Sequence, residues 1–366
     1  MSAKVVRAAA IQAAPVLFDL AATHAKSIRL IKEAAAAGAD LIVFPELFMP
    51  GYAWWLWTSS FMSYAPRIAQ YNANCPEIGG PEYNALRDLA KELGVFVVMG
   101  LAEKHGGSLY VAQWIFGPDG VLGTRRKLKP TAVERVLYGE GDGSDLKVYD
   151  TSLGRLGALN CWEHLQPLIK HTMATQHEHI HAAAWPTFFP DAGPVFSVGP
   201  TANTAATRVY AMEVGAFVVA ASSPFTPACI TAISADDPAV SAMLVPGGAA
   251  SMIFDPLGRE LAKPLPHDAE GIVYASLEPV TRGLSGCLLD TVGHYSRPDV
   301  LSVNFDQRVR SVVAGGGRLR AEIYPQRGDT ERAPTAKTER HTEAREKVVE
   351  KVVESEVDAQ LESANQ

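Results

Sequence analysis

The sequence predicts an α/β fold built as a four-layer αββα sandwich, with two sheets stacked face to face and helices outside. Two observations predict it. Short apolar runs of strand length alternate along the chain with longer segments of helical periodicity. A strand-turn-strand unit also occurs twice in nearly the same words, since Ile115-Phe116-Gly117-Pro118-Asp119-Gly120 is echoed by Ile253-Phe254-Asp255-Pro256-Leu257-Gly258. Each turn is expected to be flanked by strands, so the echo implies two similar halves, each with its own sheet. Stacking the two sheets buries their inner faces, and helices then cover the outer ones.

The elements follow in order. Residues 5–12 read as a strand, and residues 22–37 as a helix that lines up Ile28, Ile31 and Ala35 on one face. Residues 41–44 form the next strand and 81–93 the next helix. Residues 95–101 and 109–116 are strands separated by polar and glycine residues. The turn Gly117-Pro118-Asp119-Gly120 reverses the chain, because proline and glycine supply the backbone angles a tight turn needs. Residues 121–124, 156–160 and 180–184 are further apolar runs of strand length.

Composition sets the class. The chain has 366 residues, 47% of them hydrophobic, enough for one large domain or two ordinary ones with a sizeable core. A net charge of −7 and no dense basic patch argue against nucleic acid as a partner. No basic leader opens the sequence and no segment reaches the roughly 18 apolar residues of a membrane helix, so no membrane partner is expected. Four cysteines, Cys75, Cys161, Cys229 and Cys287, are too sparse for a disulfide scaffold. A reducing cytoplasm is the expected location.

Three strand ends carry chemistry. Leu156-Gly157-Ala158-Leu159-Asn160 ends abruptly at Cys161 and the polar turn Trp162-Glu163-His164; Leu41-Ile42-Val43-Phe44-Pro45 delivers Glu46; Val121-Leu122-Gly123-Thr124 leads through Arg125-Arg126 to Lys127. Residues just past the carboxyl ends of strands are where α/β folds expose reactive groups. An isolated thiol has a pKa of about 8.5 and is only slightly ionised at neutral pH. A neighbouring carboxylate can take its proton, and an ammonium can hold the anion and stabilise charge on an electrophile. Taken singly, each residue has a bland reading: a buried small hydrophobe, a capping or surface carboxylate, a solvated cation. The repeated device of strand end followed by functional group favours a site.

These residues resemble the nitrilase superfamily of carbon–nitrogen hydrolases. The resemblance is carried by Phe44-Pro45-Glu46 with Pro50-Gly51-Tyr52, by Arg125-Arg126-Lys127-Leu128-Lys129-Pro130-Thr131 with Glu134-Arg135, and by Asn160-Cys161-Trp162-Glu163-His164. It extends to Gly107-Ser108-Leu109-Tyr110, Ala184-Trp185-Pro186 and Gly293-His294-Tyr295-Ser296-Arg297-Pro298. The family is known for the αββα sandwich, expected here as one domain over residues 5–305. The resemblance implies Glu46 as general base, Lys127 as catalytic lysine, Cys161 as nucleophile and Glu134 as a second glutamate positioning lysine and substrate. Lys129 competes with Lys127, and Lys127 is preferred because it directly follows Arg126. Trp162 is expected to lend its main-chain N–H to the anion site.

Trp162-Glu163-His164 resembles the nitrile-cleaving branch, which implies hydrolysis of an organic nitrile to the acid and ammonia through a thioimidate and a thioester, with no cofactor or metal. Tyr52-Ala53-Trp54-Trp55-Leu56-Trp57 and Trp185-Pro186-Thr187-Phe188-Phe189 are rich in aromatics, so Tyr52 and Trp185 are expected to contact substrate, with an aryl or arylalkyl nitrile the first choice. Ala53 and Ala132 depart from the residues many relatives carry and are expected near the pocket. Amidases of the same superfamily and cyanide-degrading relatives would use the same catalytic set.

Residues 306–366 form a tail. Gly315-Gly316-Gly317 and the run to Lys337 read as a linker, and Val348, Val349, Val352, Val353, Val357 and Leu361 recur at helical spacing as an amphipathic helix or a disordered segment. The resemblance implies a homo-oligomer assembled from dimers into a spiral filament. A rival from a different class is a zinc-dependent hydrolase, because His177, His179 and His181 alternate and would share one face of a strand.

Overall fold

A computed structural model describes residues 5–58, 61–193, 195–235 and 237–310. The first half comprises β1 (Val6–Gln12), α1 (Leu20–Ala36), β2 (Leu41–Val43), α2 (Trp55–Thr58), α3 (Phe61–Ala73), α4 (Pro81–Leu93), β3 (Phe96–His105), β4 (Ser108–Gly117) and β5 (Gly120–Arg126). The second comprises β6 (Tyr138–Gly139), β7 (Tyr149–Thr151), β8 (Gly154–Asn160), α5 (Pro167–Thr175), β9 (Ile180–Ala184), α6 (Pro200–Val214), β10 (Phe217–Ala221), α7 (Pro227–Ser234), α8 (Pro238–Met243), β11 (Met252–Phe254), β12 (Gly271–Leu277) and α9 (Val280–Leu288).

Local chemistry sets the boundaries. Helix α1 begins at Leu20, earlier than periodicity indicates, because the Asp19 side chain accepts the Ala22 N–H at 2.9 Å and caps the first turn. Helix α4 starts on Pro81 and stops at Gly94, whose φ of 65° only glycine adopts without steric cost. Strand β3 runs on to His105, past the expected end, because a buried carboxylate is satisfied there: Glu103 accepts the Trp114 Nε1–H at 3.0 Å and pairs with Arg126.

One sheet has seven strands in the order β12-β1-β2-β3-β4-β5, with β6 beside β4; the other has five, in the order β11-β10-β9-β8-β7. Side chains alternate by strand parity. Ala8, Ala10, Leu41, Val43 and Val98 face inward against Ala158, Ala182, Val219 and Ala221 of the other sheet. Ala9, Ile42, Val97 and Trp114 face outward beneath α1 and α4, while Leu159, Ala183 and Val218 face outward beneath α5 and α6. This is the expected four-layer αββα sandwich. The many alanines between the sheets leave space only for close approach of the two backbones.

The echoed turns behave differently from each other. Gly117–Gly120 closes a hairpin between β4 and β5. After β11 the Asp255 carboxylate accepts the Leu257 and Arg259 N–H groups and turns the chain, but only the bridge Phe254 to Glu260 follows. Pro264 and Pro266 cannot donate to a ladder, and β12 crosses to the first sheet, where it pairs antiparallel with β1. The two halves are therefore joined by an exchanged strand and do not each keep their own.

Among the described residues no helix is long and apolar enough to cross a membrane. Residues 306–310 run without regular structure, and Arg310 N–H reaches the Asp142 carboxylate at 2.9 Å. The valine repeat at 348–361 lies outside the described residues.

Candidate active site

Three chain segments deliver the expected groups from strand ends. Glu46 follows β2, and its N–H donates to the Trp185 carbonyl beyond β9 at 3.1 Å, tying the two sheets together at the site. The backing of this turn is tight: a Cβ on Gly100 of β3 would overlap the Pro45 carbonyl, so only glycine fits. Lys127 leaves the end of β5, and Cys161 the end of β8. Each segment contains a non-glycine residue with positive φ, namely Leu47 at 51°, Ala132 at 45° and Cys161 at 48°. Such conformations cost about 1–3 kcal/mol each and persist where surrounding contacts over-determine them.

The charged cluster is closed to solvent. Lys127 Nζ donates to Glu46 Oε1 at 2.8 Å and to Glu134 Oε2 at 3.0 Å, with Glu46, Lys127 and Glu134 each 1% exposed. Glu134 also accepts the Thr131 N–H and the Tyr52 hydroxyl, both at 2.6 Å. Both of its oxygens are thus engaged, Oε1 by Tyr52 and Oε2 by Lys127 and Thr131, whereas Glu46 Oε2 is buried with no hydrogen-bond partner among the described residues. Two carboxylates share one ammonium, leaving the cluster net negative. Burial pushes the Glu46 carboxyl up to about 7, against the pull of Lys127, and the two glutamates hold the Lys127 ammonium protonated well above its usual range. Burial and the Glu46 carboxylate push the Cys161 thiol up, while Lys127 and the Trp162 N–H at its sulfur oppose them. A neutral thiol beside a base with an open oxygen and a fixed cation can be deprotonated as it attacks.

Of the two candidate lysines, Lys127 is buried, whereas Lys129 is exposed and pairs with Glu140. Trp162 keeps its ring half-buried, with Nε1 donating to Asn203 Oδ1 at 2.9 Å, while its main-chain N–H lies at the Cys161 sulfur. Tyr52 lines a narrow cavity beside Glu46 together with Trp54, Pro186, Thr187 and Phe225. Trp185 differs from expectation. Its ring continues the outward parity of Ala183 and stacks on His164, with ring centroids 4.9 Å apart, under α6. Its neighbours Pro186 and Thr187 take the place in the cavity wall. Ala132 is exposed, and Ala53 is buried among the aromatics of the α2 segment; neither lines this cavity.

Sequence reasoning missed two groups of residues. Arg125 Nη2 donates to Glu163 Oε1 at 2.7 Å, and Glu163 accepts the Leu128 N–H at 3.0 Å and the Asn160 N–H at 2.8 Å. One buried ion pair thereby clamps the Lys127 loop to the Cys161 turn. The spacing Asn160-x-x-Glu163 is that of a capping box and was the available signal. Trp54 and Phe225, with ring centroids 5.3 Å apart, come from segments 171 residues apart (225 − 54), and nothing local in the sequence joins them.

The zinc reading is not supported by the geometry. His177 is exposed in the turn before β9 with φ of 53°, which breaks the alternation, and His179 is only half-buried. His181 is fully buried and bonded to Glu178 and His164. Among the described residues no three His, Cys, Asp or Glu side chains are grouped to hold a metal ion.

Two stacked sheets with a glutamate, lysine and cysteine at their strand ends define a class, and the chain belongs to the carbon–nitrogen hydrolase family: the family model, carbon-nitrogen hydrolase, matches residues 7–284. Within it the chain stands in the nitrilase branch. It is 44% identical over 301 residues to a nitrilase of Pseudomonas syringae pv. syringae, covering 82% of this chain and 89% of that one. It is 44% identical over 304 residues to an aliphatic nitrilase of Rhodococcus rhodochrous, with 82% and 83% covered. It is 42% identical over 304 residues to an arylacetone-specific nitrilase of Alcaligenes faecalis, with 83% and 85% covered. Among solved structures, a carbon-nitrogen hydrolase from Helicobacter pylori G27 shares the fold, with a TM-score of 0.65 at 20% identity over 81% of this chain and 97% of that one.

Proposed function

We infer that the chain hydrolyses organic nitriles to the carboxylic acid and ammonia, with Cys161 as nucleophile. The observation that carries the assignment of roles is the Lys127 ammonium bonded to both Glu46 and Glu134 while Glu46 Oε2 stays unpartnered beside the cavity. Glu46 takes the Cys161 proton as sulfur attacks the nitrile carbon, and that proton passes to nitrogen, giving a thioimidate. Lys127 and the Trp162 N–H stabilise the charge that develops on nitrogen. Glu46 then activates water, which adds to the same carbon; the C–N bond breaks, ammonia leaves, and a thioester remains. A second water cleaves the C–S bond, releasing the acid and restoring the thiol. Two waters are consumed for each acid and ammonia formed.

The base assignment sets the pH dependence. Glu46 must be unprotonated to act, and its carboxyl lies at about 7. kcat/KM is therefore expected to fall about tenfold per pH unit on acidification below that value and to level off above it. A profile that stays flat from about pH 8 to 5 contradicts Glu46 as the base.

The substrate class follows from the cavity wall. Tyr52, Trp54 and Phe225 line the cavity, with the Trp54 ring 4.4 Å from Tyr52 and 5.3 Å from Phe225, an aromatic wall suited to a flat ring. Aryl and arylalkyl nitriles are the proposed substrates, in keeping with the arylacetone-specific relative. Ammonia release should be greatest for phenylacetonitrile or benzonitrile in a panel with an aliphatic dinitrile, cyanide and a matching amide. Turnover of the amide without any nitrile would overturn the reading.

A cytoplasmic homo-oligomer built from dimers belongs to the same proposal. Leu165, Leu168, Val209 and Met212 are between 40% and 66% exposed on or beside α5 and α6, an apolar surface suited to a second copy.

A further inference from the structure

A second buried polar system lies behind the candidate site and takes no part in the mechanism above. His164 Nδ1 is 2.6 Å from the Cys161 carbonyl oxygen, and His164 Nε2 is 2.9 Å from His181 Nε2. His181 Nδ1 is 2.7 Å from Glu178 Oε1, and Tyr210 donates its hydroxyl to Glu178 Oε2 at 2.8 Å. His164, His181, Glu178 and Tyr210 are all fully buried between the second sheet and α6. Room has been made for them: a Cβ on Gly157 of β8 would overlap the Glu178 carboxylate.

The direction of the protons in this chain follows from its first link together with burial, which keeps the imidazoles neutral. A carbonyl can only accept, so His164 carries its proton on Nδ1. The Nε2 of a neutral His164 is then an acceptor, and His181 must donate from its own Nε2. With His181 neutral, as its complete burial favours, its Nδ1 is an acceptor facing Glu178, and Glu178 completes the chain as a protonated carboxyl. Burial agrees with each step, holding both imidazoles well below their usual range and raising Glu178 to about 8. The chain is thus neutral, fully satisfied and oriented toward one oxygen.

That oxygen belongs to the peptide group whose N–H is Trp162. We propose that Tyr210, Glu178, His181 and His164 position and polarise the Cys161–Trp162 peptide, so that the Trp162 N–H is a stronger and better aimed donor to the anion formed on attack. Donation onto a peptide oxygen strengthens donation from the same peptide's N–H. The four contacts also brace Cys161 in its left-handed conformation at φ of 48°. The proposal rests on the reading of Cys161 as nucleophile, and none of the four side chains touches substrate.

The test joins kinetics to a tautomer measurement. In protein labelled with 15N-histidine, His164 should show Nδ1–H and His181 Nε2–H; the reverse assignment overturns the proposal whatever the kinetics. His164→Phe, which keeps a flat ring but no donor, should lower kcat about tenfold or more with KM within about threefold. Unchanged kcat overturns it. Glu178→Leu should lower kcat similarly, and Glu178→Gln, which keeps a neutral donor toward His181, should restore it to within about threefold. A Gln variant as slow as the Leu variant overturns the proposal. Failure of the underlying reading is distinguishable, because Cys161→Ala would then keep turning over nitrile. Should a variant fail to fold, the tautomers of the unaltered protein still decide.

Discussion

Cys161→Ala lowers ammonia release from every nitrile substrate by about 10⁵-fold or more while the protein stays folded. Losses of this size accompany removal of a nucleophile whose partners act as a unit with it. The substitution removes one sulfur atom from a residue that is 7% exposed, so the cost in volume is small and the loss is chemical. No other thiol can take over. Cys229 lines the cavity beside Glu46, but its sulfur turns toward the Pro15 carbonyl at 3.6 Å, among the described residues no cation is bonded to it, and burial raises its pKa. Circular dichroism and thermal melting alongside the ammonia assay check the result. Residual turnover within about a hundredfold of the unaltered protein contradicts the role, since binding and electrostatics alone leave less.

Lys127→Met combines loss of activity with the largest loss of stability. The methionine fills the same volume but leaves Glu46 and Glu134 facing each other, buried, without the ammonium that lies 2.8 and 3.0 Å from them. Breaking a buried pair on one side costs about 3–5 kcal/mol, because an uncompensated charge stays behind. The sign of the pH response follows. With the cation gone, burial and the second carboxylate raise the Glu46 pKa in the folded state above its unfolded value. A carboxyl shifted upward contributes stability that is fully present below its unfolded pKa and lost as pH rises through its folded one. The variant should therefore melt at a higher temperature as pH falls from about 8 toward 5, and kcat should drop at least about 10²–10³-fold at every pH. Denaturant melts at several pH values, compared with the unaltered protein, test both statements.

Much of the architecture is legible because strand parity and turn chemistry act locally. Leu41 to Val43 and Leu156 to Asn160 declare themselves as buried strands, and the groups that end them are placed by the same strands. What sequence leaves open depends on partners from elsewhere in the chain. Lys127 and Lys129 have the same parity, and they separate only because Glu46 and Glu134 capture one while Glu140 captures the other at the surface. Trp185 follows the parity of Ala183 and so turns away from the cavity, which the aromatic content of its segment conceals. The histidine alternation misleads because β9 begins at Ile180, leaving His177 in a turn. The exchange of β12 into the first sheet is likewise invisible locally, since the echo of the two turns says nothing about which edge the following strand joins.

The central claim is that Cys161 carries the acyl group. Rapid acid quenching during turnover of an arylalkyl nitrile, followed by tryptic digestion and mass spectrometry, tests it most directly, because cleavage after Arg155 and Lys170 isolates a peptide in which Cys161 is the only cysteine. A thioester or thioimidate adduct is expected on that peptide, absent in Cys161→Ala. Steady release of ammonia with that peptide unmodified and the adduct on Cys229 or on a carboxylate would contradict it.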